Sequence, residues 1–127
     1  MKDGYIYKYD VSLPHQHYYA LTEETRKMVG DRAKVYCYGH LGDGNSHLNV
    51  TTPAEDPYIK ENLSPWVYKW VVDHGGSISA EHGIGQLKRD YRHLGKSREE
   101  QELMRSLKGV FDPAGILSPY KMIPAKP

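Results

Sequence analysis

The sequence predicts an α+β domain in which an antiparallel, ferredoxin-like sheet is layered with helices. Three observations predict it. Residues 5–13, YIYKYDVSL, alternate with period two, as a half-buried strand does. Residues 34–40 and 47–52 are two more strand-like runs joined by a loop rich in turn formers, the pattern of a β-hairpin. Helical periodicity fills the intervening segments. The order becomes strand, helix, strand, strand, helix, strand-like run, helix.

In the first strand, Tyr5, Tyr7, Tyr9, Val11 and Leu13 share one face, and Ile6, Lys8, Asp10 and Ser12 share the other. Lys8 points away from the apolar face, and Asp10 is expected to be its loose partner there. A helix follows over 14–29, with Pro14 in its first turn, Tyr18, Leu21, Thr25 and Met28 on one stripe, and Gly30 at its end. The hairpin has its tip over 41–46, centred on Asp43-Gly44, so that residue 40 can lie opposite 47. Asp43 reads as the natural residue before a turn glycine. Pro53 closes the third strand. Asp56-Pro57 opens the next helix, Ser64-Pro65 is expected to interrupt or restart it, and Gly75-Gly76 stops it. Ser77–Ala80 reads as a short extended run. Ser97-Arg98-Glu99-Glu100 is a capping box for a last helix striped by Leu103, Leu107 and Val110. The tail ILSPYKMIPAKP reads as extended.

The 127 residues fit one domain, and no internal repeat or linker divides them. A formal net charge of +1 points to neither nucleic acid nor an anionic membrane as partner. One cysteine, Cys37, excludes an internal disulfide framework, suits a reducing compartment and is expected to pack in the core. No apolar stretch approaches the roughly 20 residues that span a bilayer. MKDGYIYKYD carries neither an apolar signal segment nor the Arg-rich character of a transit peptide, so a soluble domain cut from a larger protein is expected. Eleven tyrosines stand against one phenylalanine, and the sequence alone offers no reason.

The chemistry concentrates in two stretches. GHLGDGNSHLNV carries His40 and His47, and His47, Asn49 and Thr51 share a strand face. Either this is a polar hairpin tip with two solvated histidines, or the two imidazoles meet at one metal ion. Glu81-His82, before Gly83 and Gly85, adds a carboxylate and a third imidazole. Two histidines and a carboxylate form a recurrent ligand set that leaves coordination positions open. Neighbours on an extended run point to opposite faces. Therefore either only one of Glu81 and His82 is a ligand, or the chain bends at Gly83 and brings both in. Gly42-Asp43-Gly44 and Gly83-Ile84-Gly85 complete no dinucleotide-binding loop. His15, His17, His74 and His93 read as surface residues.

GYIYKYDVSLP, GHLGDGNSHLNV, GSISAEHGIGQLKRD and DPAGILSPYK, in this order, resemble the C-terminal segment of flavin-dependent D-2-hydroxyacid dehydrogenases, FAD-linked oxidases of the vanillyl-alcohol oxidase type. The resemblance covers nearly the whole chain. It implies His40, His47 and Glu81 as ligands of a divalent metal, zinc or manganese. It implies His82 as the catalytic base, with Lys8 and Asn49 binding substrate beside it. It also implies Tyr120 and Lys121 near the flavin, although Ser118 stands where the family commonly has asparagine. The substrate implied is D-2-hydroxyglutarate or D-lactate, with FAD held by an upstream domain. An electron-transfer flavoprotein is the implied acceptor and the mitochondrion the implied location. Two other functions compete: a stand-alone metal-dependent hydrolase, and an interaction module with a vestigial site, since some family members carry an actin-interacting name.

Overall fold

The computed structural model describes residues 4–123. The chain resolves into two compact units, one ending at His82 and one beginning at Gly83. The first holds strands β1 (Tyr5–Ser12), β2 (Lys34–His40) and β3 (Asn45–Thr52) and helices α1 (His15–Val29) and α2 (Pro57–Asp73). The strands form an antiparallel sheet in the order β1-β3-β2. Ser12 and Ser77 exchange backbone hydrogen bonds of 3.0 and 2.9 Å in an isolated antiparallel bridge on β1. The expected strand over 77–80 is thus one bridge long. With it the order is that of a ferredoxin-like sheet, its fourth strand reduced to a single pairing.

The register explains how the sheet divides its labour. Tyr7, Val50 and Val35 form one cross-strand row, and Tyr9, Leu48 and Cys37 the next. These rows, with Val11, face the apolar stripes of the helices, where Leu21, Val29, Ile59, Leu63, Val67 and Val71 are buried. Cys37 is only half-buried, its Sγ 2.9 Å from the Ser46 hydroxyl, because β2 is an edge strand whose other side is open. The alternate rows are Lys8, Asn49, Tyr36 and Asp10, His47, Tyr38 and Ser12, Asn45, His40. The polar residues of the predicted site therefore share the sheet face opposite the helices.

Three of the tyrosines have a structural reason. Tyr7 donates to the Asp56 carbonyl at 3.1 Å and accepts from the Asp56 N–H at 3.0 Å. Tyr9 meets the Ser64 hydroxyl at 2.9 Å, and Tyr18 donates to the Asn45 carbonyl at 3.0 Å. A phenylalanine would supply the ring but not these ties between strand and helix.

Three expectations need correction. Helix α2 runs through Pro65 without interruption. The proline leaves the Glu61 carbonyl without its helical donor, and both residues are exposed, so water can serve it. The hairpin loop is shorter than expected: His40 pairs with Asn45, not His47, and His47 pairs with Tyr38. A 3-10 turn over Leu41–Asp43 closes on Gly44 at φ 72°, which lets the chain reverse within four residues. Asp43 does accept from the Asn45 N–H, at 3.3 Å. The tail is not extended, since Ser118, Tyr120 and Met122 have φ of 44°, 64° and 58°.

The second unit contains a 3-10 turn over Arg89–Leu94 and helix α3 (Arg98–Phe111). The capping box forms as read, with Glu100 N–H to Ser97 Oγ at 3.1 Å and Ser97 N–H to Glu100 Oε2 at 2.7 Å. The apolar stripe Leu103, Leu107 and Val110 is exposed.

The cap of α2 is a direct test of this reading. Asp56 accepts from the N–H groups of Tyr58 and Ile59 at 2.9 and 3.1 Å, with Pro57 at the first helical position. Asp56→Ala is expected to cost about 1–2 kcal/mol in denaturant unfolding. Gly44→Ala is expected to cost at least about 1 kcal/mol, since a side chain there has an unfavourable φ and would strike the Leu13 carbonyl.

Candidate metal and substrate site

The site is assembled around Asp10. This residue stands on the open face of the sheet yet is only 2% exposed. After the Ser77 bridge, the chain folds over the end of β1. The N–H groups of Ala80, Glu81 and His82 then all donate to Asp10 Oδ2, at 3.1, 2.8 and 2.9 Å. The Asn45 side-chain amide donates to Asp10 Oδ1 at 2.7 Å and to the Val11 carbonyl at 3.3 Å. Asp10 is thus a buried anchor and not the solvent-side partner of Lys8 that its alternation suggested. Burial opposes its ionisation, but the amides of His82, Glu81 and Asn45 outweigh it and lower the carboxyl pKa from 3.8 to about 2.

The turn on Asp10 also settles the placement of Glu81 and His82. The bend lies at residues 80–82 themselves, before Gly83, and brings both side chains to the sheet face. Glu81 stands between two imidazoles: Oε1 is 3.3 Å from His40 Nε2, and Oε2 is 3.6 Å from His47 Nε2. The ring of His82 stacks on His47, with centroids 5.7 Å apart and planes 22° apart. The His40 and His47 rings meet edge to face at 5.6 Å. Tyr38, across the register from His47, lies 5.6 Å from it, ring to ring.

The donor set suits a divalent cation. Bonds of about 2.0–2.2 Å in a tetrahedral arrangement place neighbouring donor atoms about 3.3–3.6 Å apart. The Glu81 oxygens stand at 3.3 and 3.6 Å from the two Nε2 atoms. Asp10, His47, Glu81 and His82 also offer ligand atoms within 4.8 Å of one another. Asp10 is a poor ligand, however, because its oxygens already accept four N–H donors. Glu81 and His40 remain exposed, which keeps the centre open to a small molecule.

Lys8 and Asn49 occupy the adjacent row, directly paired across β1 and β3. Lys8 is exposed, while Asn49 is buried and donates to the His47 carbonyl at 3.1 Å. The structure thus gathers His40, His47, Glu81 and His82 and sets Lys8 and Asn49 one row away. Tyr120 and Lys121 belong to the second unit, where both are exposed. The other histidines of the first unit have other partners: His15 bonds the Leu41 carbonyl at 2.6 Å, and the rings of His17 and His74 contact each other at 4.8 Å. Asp10 is the participant that sequence reasoning missed. Nothing in its spacing marks it, because its donors lie 35 to 72 residues away.

The anchor has a pH signature. The folded pKa of Asp10 lies below its unfolded value, so its stabilisation is complete above about pH 5 and is lost as the pH falls towards 2. Acid unfolding of the wild type is expected to show this loss, on the order of 2 kcal/mol, and Asp10→Asn is expected to flatten it in the same window.

The chain is similar to known proteins over most of its length. Residues 1–122 match the family described as FAD linked oxidases, C-terminal domain. It is 51% identical over 124 residues to a mitochondrial D-2-hydroxyglutarate dehydrogenase of Bos taurus, covering 97% of this chain and 23% of that protein. A mitochondrial D-2-hydroxyglutarate dehydrogenase of Danio rerio is 49% identical over 123 residues, 96% of this chain and 23% of the relative. A D-2-hydroxyglutarate–pyruvate transhydrogenase of Saccharomyces cerevisiae is 42% identical over 130 residues, 94% of this chain and 26% of the relative. The chain therefore spans about a quarter of the length of the curated relatives it matches. With a match across nearly all of its residues, this chain belongs to the FAD-linked oxidase family and corresponds to that family's C-terminal domain.

Proposed function

We propose that the chain is the metal- and substrate-binding part of an FAD-dependent dehydrogenase that oxidises a D-2-hydroxyacid to the 2-oxoacid. One observation carries the reading. The Glu81 carboxylate lies between His40 Nε2 and His47 Nε2, beside His82, on the sheet face that also bears Lys8 and Asn49. His40, His47 and Glu81 would hold a divalent ion, zinc or manganese. Such an ion favours the ionised form of an oxygen bound to it.

The chain's own residues do the rest. His82 takes the proton of the substrate hydroxyl, and imidazole is the side chain whose ordinary titration range suits that task near neutral pH. The Lys8 ammonium holds a substrate carboxylate by a charge-assisted hydrogen bond. Asn49, bonded to the His47 carbonyl, presents its remaining polar capacity to the same row. Tyr38 limits the rotation of the His47 ring.

Among the described residues no glycine-rich loop opens any of the three α-helices, whose N-caps are Pro14, Asp56 and Ser97. Oxidation of a hydroxyl needs a two-electron acceptor, and in this reading FAD is carried by parts of the family's proteins that this chain does not span. Tyr120 and Lys121 would border it, and an electron-transfer flavoprotein would reoxidise it. D-2-hydroxyglutarate is the substrate suggested by the relatives' names, with D-lactate the alternative that the family resemblance implies, and the mitochondrion is suggested by the names of two of those relatives. No helix among the described residues is long and apolar enough to cross a membrane. Family membership and a converging ligand set favour this reading over a flavin-independent hydrolase or a vestigial actin-binding module.

The test is metal content and affinity of the protein beside a His40→Ala/His47→Ala variant. One metal per chain, lost in the variant, is the expected result; equal metal in both would overturn the reading. In the flavin-loaded enzyme, His82→Ala is expected to lower kcat about 10²–10⁴-fold with metal retained. Lys8→Met is expected to weaken substrate binding without loss of metal, read as a higher KM.

A further inference from the structure

We infer that Asp10 is the positioning residue of the metal centre, holding His47 in the tautomer that leaves Nε2 free to ligate. The inference rests on the metal-binding reading above. Asp10 Oδ1 lies 3.5 Å from His47 Nδ1. An ionised carboxylate only accepts hydrogen bonds, so it faces a protonated Nδ1 and disfavours a lone pair there. In neutral imidazole a proton on Nδ1 leaves Nε2 bare; the Glu81 carboxylate 3.6 Å from Nε2 competes for that proton, but it is exposed and screened, whereas the Asp10 carboxylate facing Nδ1 is buried. The same carboxylate ties down the opposite side of the centre, since Oδ2 accepts from the N–H groups of Glu81 and His82. One buried group therefore orients a histidine ligand and anchors the segment bearing the carboxylate ligand. Metal-bound histidines commonly need such a second partner.

The neighbours of His47 support a specific role for Asp10. Tyr38 and His82 flank the ring and restrain its plane, but ring contacts do not choose a tautomer. The orientation of Asp10 is itself fixed by the Asn45 amide, whose Nδ2 points to Oδ1. Asn45 Oδ1 has no hydrogen-bond partner among the described residues, so it can accept from an amide at position 10 if the side chain turns over, at the cost of its bond to the Val11 carbonyl.

Asp10→Asn separates the two tasks. Its amide oxygen can still accept from the N–H groups of residues 80–82, while its NH₂ presents a donor to His47 Nδ1. That donor favours the Nε2–H tautomer and removes the lone pair from the metal side. The experiment reads the tautomer by long-range ¹H–¹⁵N correlation in metal-free, ¹⁵N-histidine-labelled protein at about pH 8.5, where imidazole is ordinarily neutral. Wild-type His47 is expected to carry its proton on Nδ1, and Asp10→Asn to move it to Nε2. Cobalt(II) titration should show binding about 10–100-fold weaker in Asp10→Asn, with the far-ultraviolet circular dichroism unchanged.

A wild-type His47 protonated on Nε2 would overturn the inference, and this outcome needs no variant to fold. So would an Asp10→Asn protein that keeps the wild-type tautomer and binds cobalt within about twofold of wild type. A tautomer switch in a protein that takes up no cobalt would uphold the role of Asp10 towards His47 while overturning the metal-binding reading.

Discussion

The Asp10 carboxylate is buried in β1 and accepts from four N–H donors drawn from two distant segments, Asn45 and residues 80–82. Burying a charge is costly unless it is fully hydrogen-bonded, so a fold that buries Asp10 must also bring those donors to it. Bringing them fixes the rest. The segment after the Ser77 bridge has to leave the sheet edge and turn across the end of β1. Glu81 and His82 are carried with it, their backbone held on Asp10 while their side chains reach the imidazoles of His40 and His47. Three consecutive amides on one oxygen also explain how neighbouring residues serve one centre, which an extended strand would forbid.

The sheet provides the other half of the site by simple alternation. Apolar residues of β1 and β3 face the helices; Tyr7 and Tyr9 among them close their hydroxyls onto Asp56 and Ser64, and Tyr18 of α1 closes its own onto the Asn45 carbonyl. The opposite face is left for chemistry, in rows that pair Lys8 with Asn49 and Asp10 with His47. The short hairpin matters here. With four residues between β2 and β3, His40 and His47 are diagonal neighbours on one face, not a directly opposed pair, and Glu81 fits between their Nε2 atoms. Gly44 permits that spacing through a left-handed turn packed against the Leu13 carbonyl.

The second unit depends on local interactions. Among the described residues, α3 buries no side chain, so its helix rests on the Ser97–Glu100 capping box and on pairs such as Arg98–Glu102 at 2.9 Å. Each such pair contributes only a few tenths of a kcal/mol. Asp112 ends the helix by accepting from the N–H groups of Ile116 and Leu117, both at 3.0 Å, and from Lys108 at 2.6 Å. The Lys108 ammonium beside it lowers the Asp112 carboxyl pKa.

Local signals in the sequence determined a great deal. Alternation placed β1, caps placed the starts of α2 and α3, and Asp43-Gly44 placed the hairpin turn, because each rests on interactions within a few residues. The ordered motifs were enough to indicate the family and to nominate His40, His47, Glu81 and His82. Pro65 misled because a proline's cost in a helix depends on whether the orphaned carbonyl can reach water, which is a matter of exposure. The capped α3 was visible, but the exposure of its stripe was not. Only the tertiary structure decided the register of the hairpin, the route of residues 80–82 and the role of Asp10. These depend on which distant N–H groups must satisfy one buried carboxylate, and no periodicity along the chain encodes that.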